Sequence, residues 1–451
     1  MNVVDSEVVV AILQKQEYEV TEKVEEADLV LVNTCSIRDN AEQKVNQRIQ
    51  EFGHQKKLNS GLTVGVIGCM AERLKEKLLE EDRSVDLVVG PDAYRDLPSL
   101  LKEVENGQKG INTLLWEEET YSDINPVRLD RNHVSSFVAI MRGCNNFCAF
   151  CVVPFTRGRE RSRDPKTIEQ EVLELYKSGY KEVTLLGQNV NSYRWHYDSS
   201  KNHLEKPTSG PINIAEVKPS DLKSLKFEDL LDRVAQIAPD LRIRYTSPHP
   251  KDISEDVLKV MAKHQNICRS VHLPLQSGST SVLKRMKRGY SREMYMEKIE
   301  MIRKYLPEAS VSTDIIAGFC GETEEEHQDT LFMMKWASYD FAYMFKYSER
   351  PDTYAARKLA DDVPEEVKSR RLNEIIHLQS ELSLKSKKQD IGKSFEVLVE
   401  GTSKKSVQEL TGRTSQNKVV VFPAEGHKPG DYVNVKIHDC TSATLKGRIV
   451  T

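Results

Sequence analysis

Long apolar runs are missing from these 451 residues: none approaches the roughly 18 that a membrane-spanning helix needs. Asp5 and Glu7 also interrupt any N-terminal secretion signal, so a cytoplasmic protein without membrane contact is expected. An excess of one charge is absent as well. The 65 basic and 69 acidic side chains leave a net charge of −4, which excludes a histone-like polycation but not a local basic patch. Cysteine is scarce. Eight scattered residues cannot form a disulfide framework in so long a chain, and they read instead as metal ligands, catalytic groups or core residues. There is no internal repeat and no low-complexity tract. What is present is globular material, 39% hydrophobic and 30% charged, in a chain long enough for two or three domains.

Three segments follow from periodicity. In the first, residues 1–115, Asp5 is placed to cap a helix carrying Val8, Val9, Ile12 and Leu13 at helical spacing. Short apolar strands at 27–32, 63–67 and 85–89 alternate with helical patterns at 39–52 and 71–79. That alternation predicts a doubly wound parallel sheet, an α/β arrangement. Such a sheet normally opens with a strand, whereas this chain opens on a helix, so its first strand is expected to be missing. Residues 107–132 read as a linker. The second segment, 131–384, shows strand-like runs at 137–141, 182–186, 241–245, 270–273, 310–316 and 341–345, most separated by helical patterns. Six such repeats predict a partial (β/α)6 barrel with its functional groups at the C-terminal strand ends. Asp164, Pro165 and Gly179 mark the start and stop of one of its helices. The polar stretch 193–226 reads as an inserted mobile loop. The third segment, 388–451, loses the helical period; strands at 395–399, 419–422 and 432–437 between glycine turns predict a small all-β barrel of OB-like size.

Cys144, Cys148 and Cys151 form C-x3-C-x2-C directly after the first barrel strand. Three thiolates in a tight loop can hold three irons of a [4Fe–4S] cluster and leave the fourth open to a small chelating molecule. The alternative is zinc, which prefers four closed ligands, and no fourth stands at a suitable spacing. Cys35 and Cys69 each follow a strand of the N-terminal sheet, at the carboxyl edge where open α/β sheets place ligands; two plain buried thiols are the alternative. Cys268, Cys320 and Cys440 read as packing residues.

The run RGCNNFCAFCVVPFTRGRERSR (142–163) resembles the radical S-adenosylmethionine (SAM) methylthiotransferases, and within them the MiaB-type tRNA enzymes. The resemblance extends over MNVVDSEVV (1–9), NTCSIRDNAEQKV (33–45), GCMAER (68–73), GQNVNSY (187–193), RYTSPHP (244–250) and HLPLQSGS (272–279). GRTSQNKVVVFP (412–423) is similar to the RNA-binding TRAM domain.

The resemblance implies a radical SAM core at 131–384 and a TRAM domain at 388–451. It implies conversion of an adenine C2–H to C2–SCH3 in N6-isopentenyladenosine at position 37 of tRNA. Relatives acting on threonylcarbamoyladenosine or on a ribosomal protein aspartate are the alternative, and a non-catalytic RNA-binding protein with a structural metal site is the reading from another class. Two [4Fe–4S] clusters and SAM are the implied cofactors. Cys144, Cys148 and Cys151 would hold the radical cluster. Cys35 and Cys69 would hold an auxiliary one, whose third family cysteine would lie upstream of Met1, with the missing strand. Implied SAM contacts are Phe150, Gln188, Asn189, Ser247, His249, Gln276 and Asp314. Arg157, Arg159, Arg161 and Arg163 beside the cluster loop, with Lys404, Lys405, Arg413 and Lys418 in the last segment, are expected to meet RNA phosphates. The expected partners are a tRNA anticodon loop and a reducing protein such as flavodoxin or ferredoxin, with the enzyme itself a monomer.

Overall fold

A computed structural model describes residues 1–34, 39–81, 84–130, 132–201 and 217–450. The N-terminal sheet has four parallel strands in the order Leu29–Thr34, Thr63–Gly68, Leu87–Val89 and Gly110–Asn112. The last of these falls where the sequence reads as linker, because three residues are too few to show a period. Asp5 does not cap the first helix. That helix is Asn2–Gln14, and Asp5 lies inside it, fully buried. Apolar side chains of the helix (Val4, Val8, Ile12) pack with Ile67, Leu87 and Leu97. A cavity of about 1320 Å³ runs along the edge strand Leu29–Thr34 and is lined by Val9, Leu13, Leu31 and Ile67. None of the three clustered cysteines touches it.

The central body is an open curl of six parallel strands. Ser135–Ala139, Glu182–Leu186 and Arg242–Tyr245 form one half. Ser270–His272, Ser310–Ala317 and Phe341–Lys346 form the other, and an isolated bridge from Ile243 to Ile267 links the halves. Alternation sets the two faces of each strand. Val183, Leu185, Ile243, Val311 and Ile315 are buried in the core with Ile168, Leu230 and Met333 of the surrounding helices. Ser312, Asp314 and Ile316 take the other face, in register with Phe341, Tyr343 and Phe345. The helix Pro165–Lys177 starts where its cap predicts: the Asp164 carboxylate accepts from the Lys166 amide at 2.7 Å. The stretch read as a loop is ordered at both ends. Arg194–Asp198 and Leu222–Lys226 pair as an antiparallel hairpin, anchored by buried Trp195 and Leu225. Residues 202–216 between them lie outside the described residues.

The C-terminal body is a closed five-stranded barrel: Ser394–Ser403, Ser406–Thr414, Val419–Pro423, Leu445–Ile449 and Tyr432–Cys440. Its core is Val397, Val399, Val420, Phe422 and Val435. Two strands escaped the sequence reading, since polar residues dominate Ser406–Thr414 and Leu445–Ile449. The turn 414–417 docks on the N-terminal strand ends of the central curl. Arg244 Nη2 donates to the Thr414 carbonyl at 2.8 Å, the Arg269 amide to Ser415 Oγ at 2.9 Å, and Ser310 Oγ to the Gln416 carbonyl at 2.6 Å.

Candidate functional site

The cysteine loop leaves the strand Met141–Arg142 through Gly143, whose φ of +75° only glycine adopts without strain. A Cβ there would stand 1.9 Å from the Arg159 carbonyl oxygen. The loop is clamped by main-chain bonds from the Cys144 amide to Gly158 (3.2 Å), from the Ala149 amide to Met286 (2.9 Å) and from the Ala355 amide to Ala149 (2.7 Å). Cys144 and Cys148 are buried and Cys151 is half-buried. Burial pushes the Cys151 thiol up to about 12, and the Cys148 sulfur beside it adds to the rise; burial also raises Cys144. Metal binding here must therefore drive off protons. Arg288 Nη1 donates to Cys148 Sγ at 3.0 Å.

The spacing of these sulfurs separates the two metal chemistries. Among the described residues, the one set of three candidate ligands converging within 4.8 Å is Glu324, His327 and Glu374, and the cysteines are not such a set. Ligands at about 2.3 Å from one zinc would have to converge more closely than that. Three thiols spaced C-x3-C-x2-C in one clamped loop are a donor set that fits three irons of a [4Fe–4S] cluster. The Glu324 set is an ion-pair network instead, closed by Arg370 at 2.6 Å from both glutamates.

The polar candidates gather at the C-terminal strand ends. Asn189 uses both amide ends within the protein: Oδ1 accepts from the His249 amide at 3.0 Å and Nδ2 donates to Asp252 at 2.7 Å, tying two strand ends together. Gln188 Oε1 and His249 Nε2 are buried without protein partners. Burial, then the charges of Arg288 and Lys251, push His249 down to about 2, so its ring is neutral. Ser247 and Gln276 both hold positive φ, +64° and +70°, a cost often found at functional sites. Asp314 lies 3.4 Å from His272 Nε2. Phe150 is half-buried edge-on to Phe319, with ring centroids 6.3 Å apart. Two residues were missed from sequence. Asn191 buries both amide atoms without a partner, and Arg288 stands in a basic run that reads as a solvated face.

The arginine run requires correction. Arg157, Arg161 and Arg163 are buried: Arg157 pairs with Asp5 at 2.6 Å, Arg161 with Asp92 at 2.8 Å, and Arg163 with Glu171. Guanidiniums taken out of water need such partners, and these partners come from the N-terminal body and a barrel helix. Only Arg159 of the four is exposed. In the last body Lys404 and Lys405 are exposed. Arg413 is held by Glu400 at 3.1 Å, and Lys418 by Asp390 at 2.6 Å and Asp340 at 3.3 Å, so Lys418 joins two bodies rather than facing a ligand.

Cys69 is buried at the start of the helix Cys69–Leu74, at the carboxyl edge of its sheet; Cys35 lies outside the described residues. Arg157 Nη1 is buried without a partner, which suits an anionic group there. The other three cysteines do pack: Cys268 and Cys320 are buried, and Cys440 lies against the core of the last barrel.

Family comparisons agree with this three-part layout. The radical SAM superfamily matches residues 138–334, a group described as uncharacterized protein family UPF0004 matches 1–90, and the TRAM domain matches 388–450. A tRNA-2-methylthio-N(6)-dimethylallyladenosine synthase of Amoebophilus asiaticus is 56% identical over 100% of this chain and 90% of its own. Its namesake from Flavobacterium psychrophilum is 53% identical over 100% and 92%. Among solved structures, the radical S-adenosylmethionine methyltransferase TsrM of Kitasatospora setae shares the fold, with a TM-score of 0.55 and 16% identity over 79% of this chain and 72% of that one. No described helix is long and apolar enough to cross a membrane.

Proposed function

The chain belongs to the family of the tRNA-2-methylthio-N(6)-dimethylallyladenosine synthases, and from that premise we propose that it is a radical SAM methylthiotransferase. Its substrate is N6-isopentenyladenosine (the dimethylallyl nucleoside) at position 37 of tRNA, and its product carries C2–SCH3 in place of C2–H. The observation that carries the reading is the clamped, largely buried triplet of Cys144, Cys148 and Cys151 at C-x3-C-x2-C spacing. When bound, the [4Fe–4S] cluster and SAM supply the one-electron chemistry that a non-acidic C2–H bond requires.

The chain's own residues aim and shield that chemistry. Gly143 and the Gly158 and Met286 carbonyls shape the loop that presents the three thiolates. Gln188 Oε1 offers a buried acceptor and His249 Nε2 a buried donor for the polar groups of SAM, because the fold leaves both without a partner. His249 stays neutral, and because its Nδ1 accepts from the Lys251 amide, its single ring proton sits on Nε2, which donates. Asn189 keeps its amide for the protein and positions the His249 segment. Phe150 and Phe319 form an apolar wall beside the loop.

Cys69, with Cys35, is our candidate for a second, auxiliary cluster, with Arg157 as its compensating cation. Arg159, Lys404 and Lys405 are the exposed cations for tRNA phosphates. A flavodoxin or ferredoxin is the reductant we infer, acting on a monomer. Anaerobic reconstitution and reduction in the presence of SAM should release 5′-deoxyadenosine, and tRNA bearing isopentenyladenosine should gain the methylthio group by nucleoside mass analysis. Reconstituted protein that releases no 5′-deoxyadenosine would refute the enzyme reading. Methylthiolation of threonylcarbamoyladenosine or of a ribosomal protein aspartate instead would move the substrate.

A further inference from the structure

Arg288 is the buried cation that these roles leave unexplained. It follows the helix Thr280–Arg285 and is 6% exposed. Nη1 donates to Cys148 Sγ at 3.0 Å, Nε to the Tyr290 hydroxyl at 3.1 Å and Nη2 to the Pro274 carbonyl at 3.4 Å. Taking a guanidinium out of water is costly unless an anion faces it. Arg142, Arg157, Arg161 and Arg163 each face a carboxylate. The contacts described for Arg288 include none. Its described side-chain hydrogen-bond partners are the Cys148 sulfur and the Tyr290 hydroxyl. Of these two partners, Cys148 is the one that would supply a compensating negative charge on binding a cluster, because iron takes cysteine as thiolate.

We propose that Arg288 is a positioning residue that pairs with the Cys148 thiolate and raises the reduction potential of the [4Fe–4S] cluster held by Cys144, Cys148 and Cys151. The proposal rests on the reading of that loop given above. One electron, taken from an external one-electron donor, adds one negative charge at the site, and no proton moves and no bond is made or broken. A fixed cation on a ligand sulfur favours the more negative form, as do hydrogen bonds to cluster sulfurs in general. Lysine at 288 would keep the charge but lose the planar fork that reaches Cys148, Tyr290 and Pro274 together.

The test is the midpoint potential of the reconstituted full chain without SAM, followed by electron paramagnetic resonance during titration with dithionite. The relevant signal is the one lost in Cys148→Ala. Arg288→Gln should lower the reduced-to-oxidised ratio at fixed poise at least tenfold, a shift of about 59 mV for one electron, and Arg288→Lys should recover most of it. An Arg288→Gln protein with the wild-type potential overturns the proposal, including the case in which only SAM affinity falls, which would make Arg288 a SAM contact. If Arg288→Gln holds no cluster, Arg288→Lys decides: a cluster near the wild-type potential supports charge pairing, and an equally empty Lys variant refutes it. A wild-type chain that takes up no cluster at these cysteines would sink the underlying reading instead.

Discussion

Replacing Asp5 should loosen the seam between the N-terminal helix and the cluster loop. Its Oδ1 accepts from Arg142 Nη1 at 3.0 Å and its Oδ2 from Arg157 Nη2 at 2.6 Å, with the carboxylate fully buried. Arg142 has a second carboxylate, Asp92, at 3.7 Å, whereas no other ion pair is found for Arg157 among the described residues. Removing one partner of a buried pair costs about 3–5 kcal/mol, mostly for the charge left alone. The second carboxylate at Arg142 puts Asp5→Ala toward about 3 kcal/mol. Global melting of a chain with several cores is not two-state, so hydrogen exchange on residues 2–14 is the suitable assay. Amide protection there should fall by about two orders of magnitude, because 1.36 kcal/mol is a factor of ten. Asp5→Ala with Arg157→Met should recover part of the loss, since the orphaned cation goes too. Protection unchanged within about threefold, with the helix still docked, would refute the reasoning. The pH dependence has a definite sign. Burial alone would raise the Asp5 carboxyl, but Arg157 and Arg142 overcome it and hold the group below its usual value. Its contribution is therefore present above the ordinary carboxylate value of about 3.9 and is lost as pH falls through the lower folded value.

Gly143→Ala should abolish cluster uptake, measured as iron per chain after reconstitution, because a Cβ would meet the Arg159 carbonyl at 1.9 Å and φ is +75°. Arg159→Ala should weaken tRNA binding and reduce its salt slope by about one, whereas Arg161→Ala should leave the slope unchanged and lower stability by about 3 kcal/mol, since Arg161 is paired with Asp92. Cys69→Ala should retain 5′-deoxyadenosine release while losing methylthiolation, read by nucleoside mass analysis. Lys418→Met should free the C-terminal barrel, because Asp390 and Asp340 lose their shared cation; faster proteolysis between 388 and 394 is the readout.

Much of this protein is legible one segment at a time. Asp164, Pro165 and Gly179 bound a helix by local capping rules, and the helix forms there. The strand-helix alternation and the change to a period of two after residue 390 identify the barrel folds, because periodicity is a local property of the chain. Elements that fail this test are short or polar: Gly110–Asn112 has three residues, and the hairpin strand Leu222–Lys226 is LKSLK. The turn 414–417 lies in a motif that resembles an RNA-binding domain, yet its carbonyls and hydroxyl are occupied by Arg244, Arg269 and Ser310.

By itself the sequence determined which groups are candidates for the chemistry: the spacing of Cys144, Cys148 and Cys151 and the glycine before them are set within nine residues of chain. Only the tertiary structure decided which charges are spent. Arg157 and Asp5 are 152 positions apart and Arg161 and Asp92 are 69 apart, so nothing near either arginine announces its partner. The alternating arginines looked like a phosphate-binding stripe, and three of them are buried ion pairs. Arg288 donates to the sulfur of Cys148, 140 positions away in the chain. Residue type and local spacing state what a side chain is able to do. Whether it meets water, a carboxylate or a thiolate depends on the distant chain folded against it, since burial is what makes a charge demand a partner.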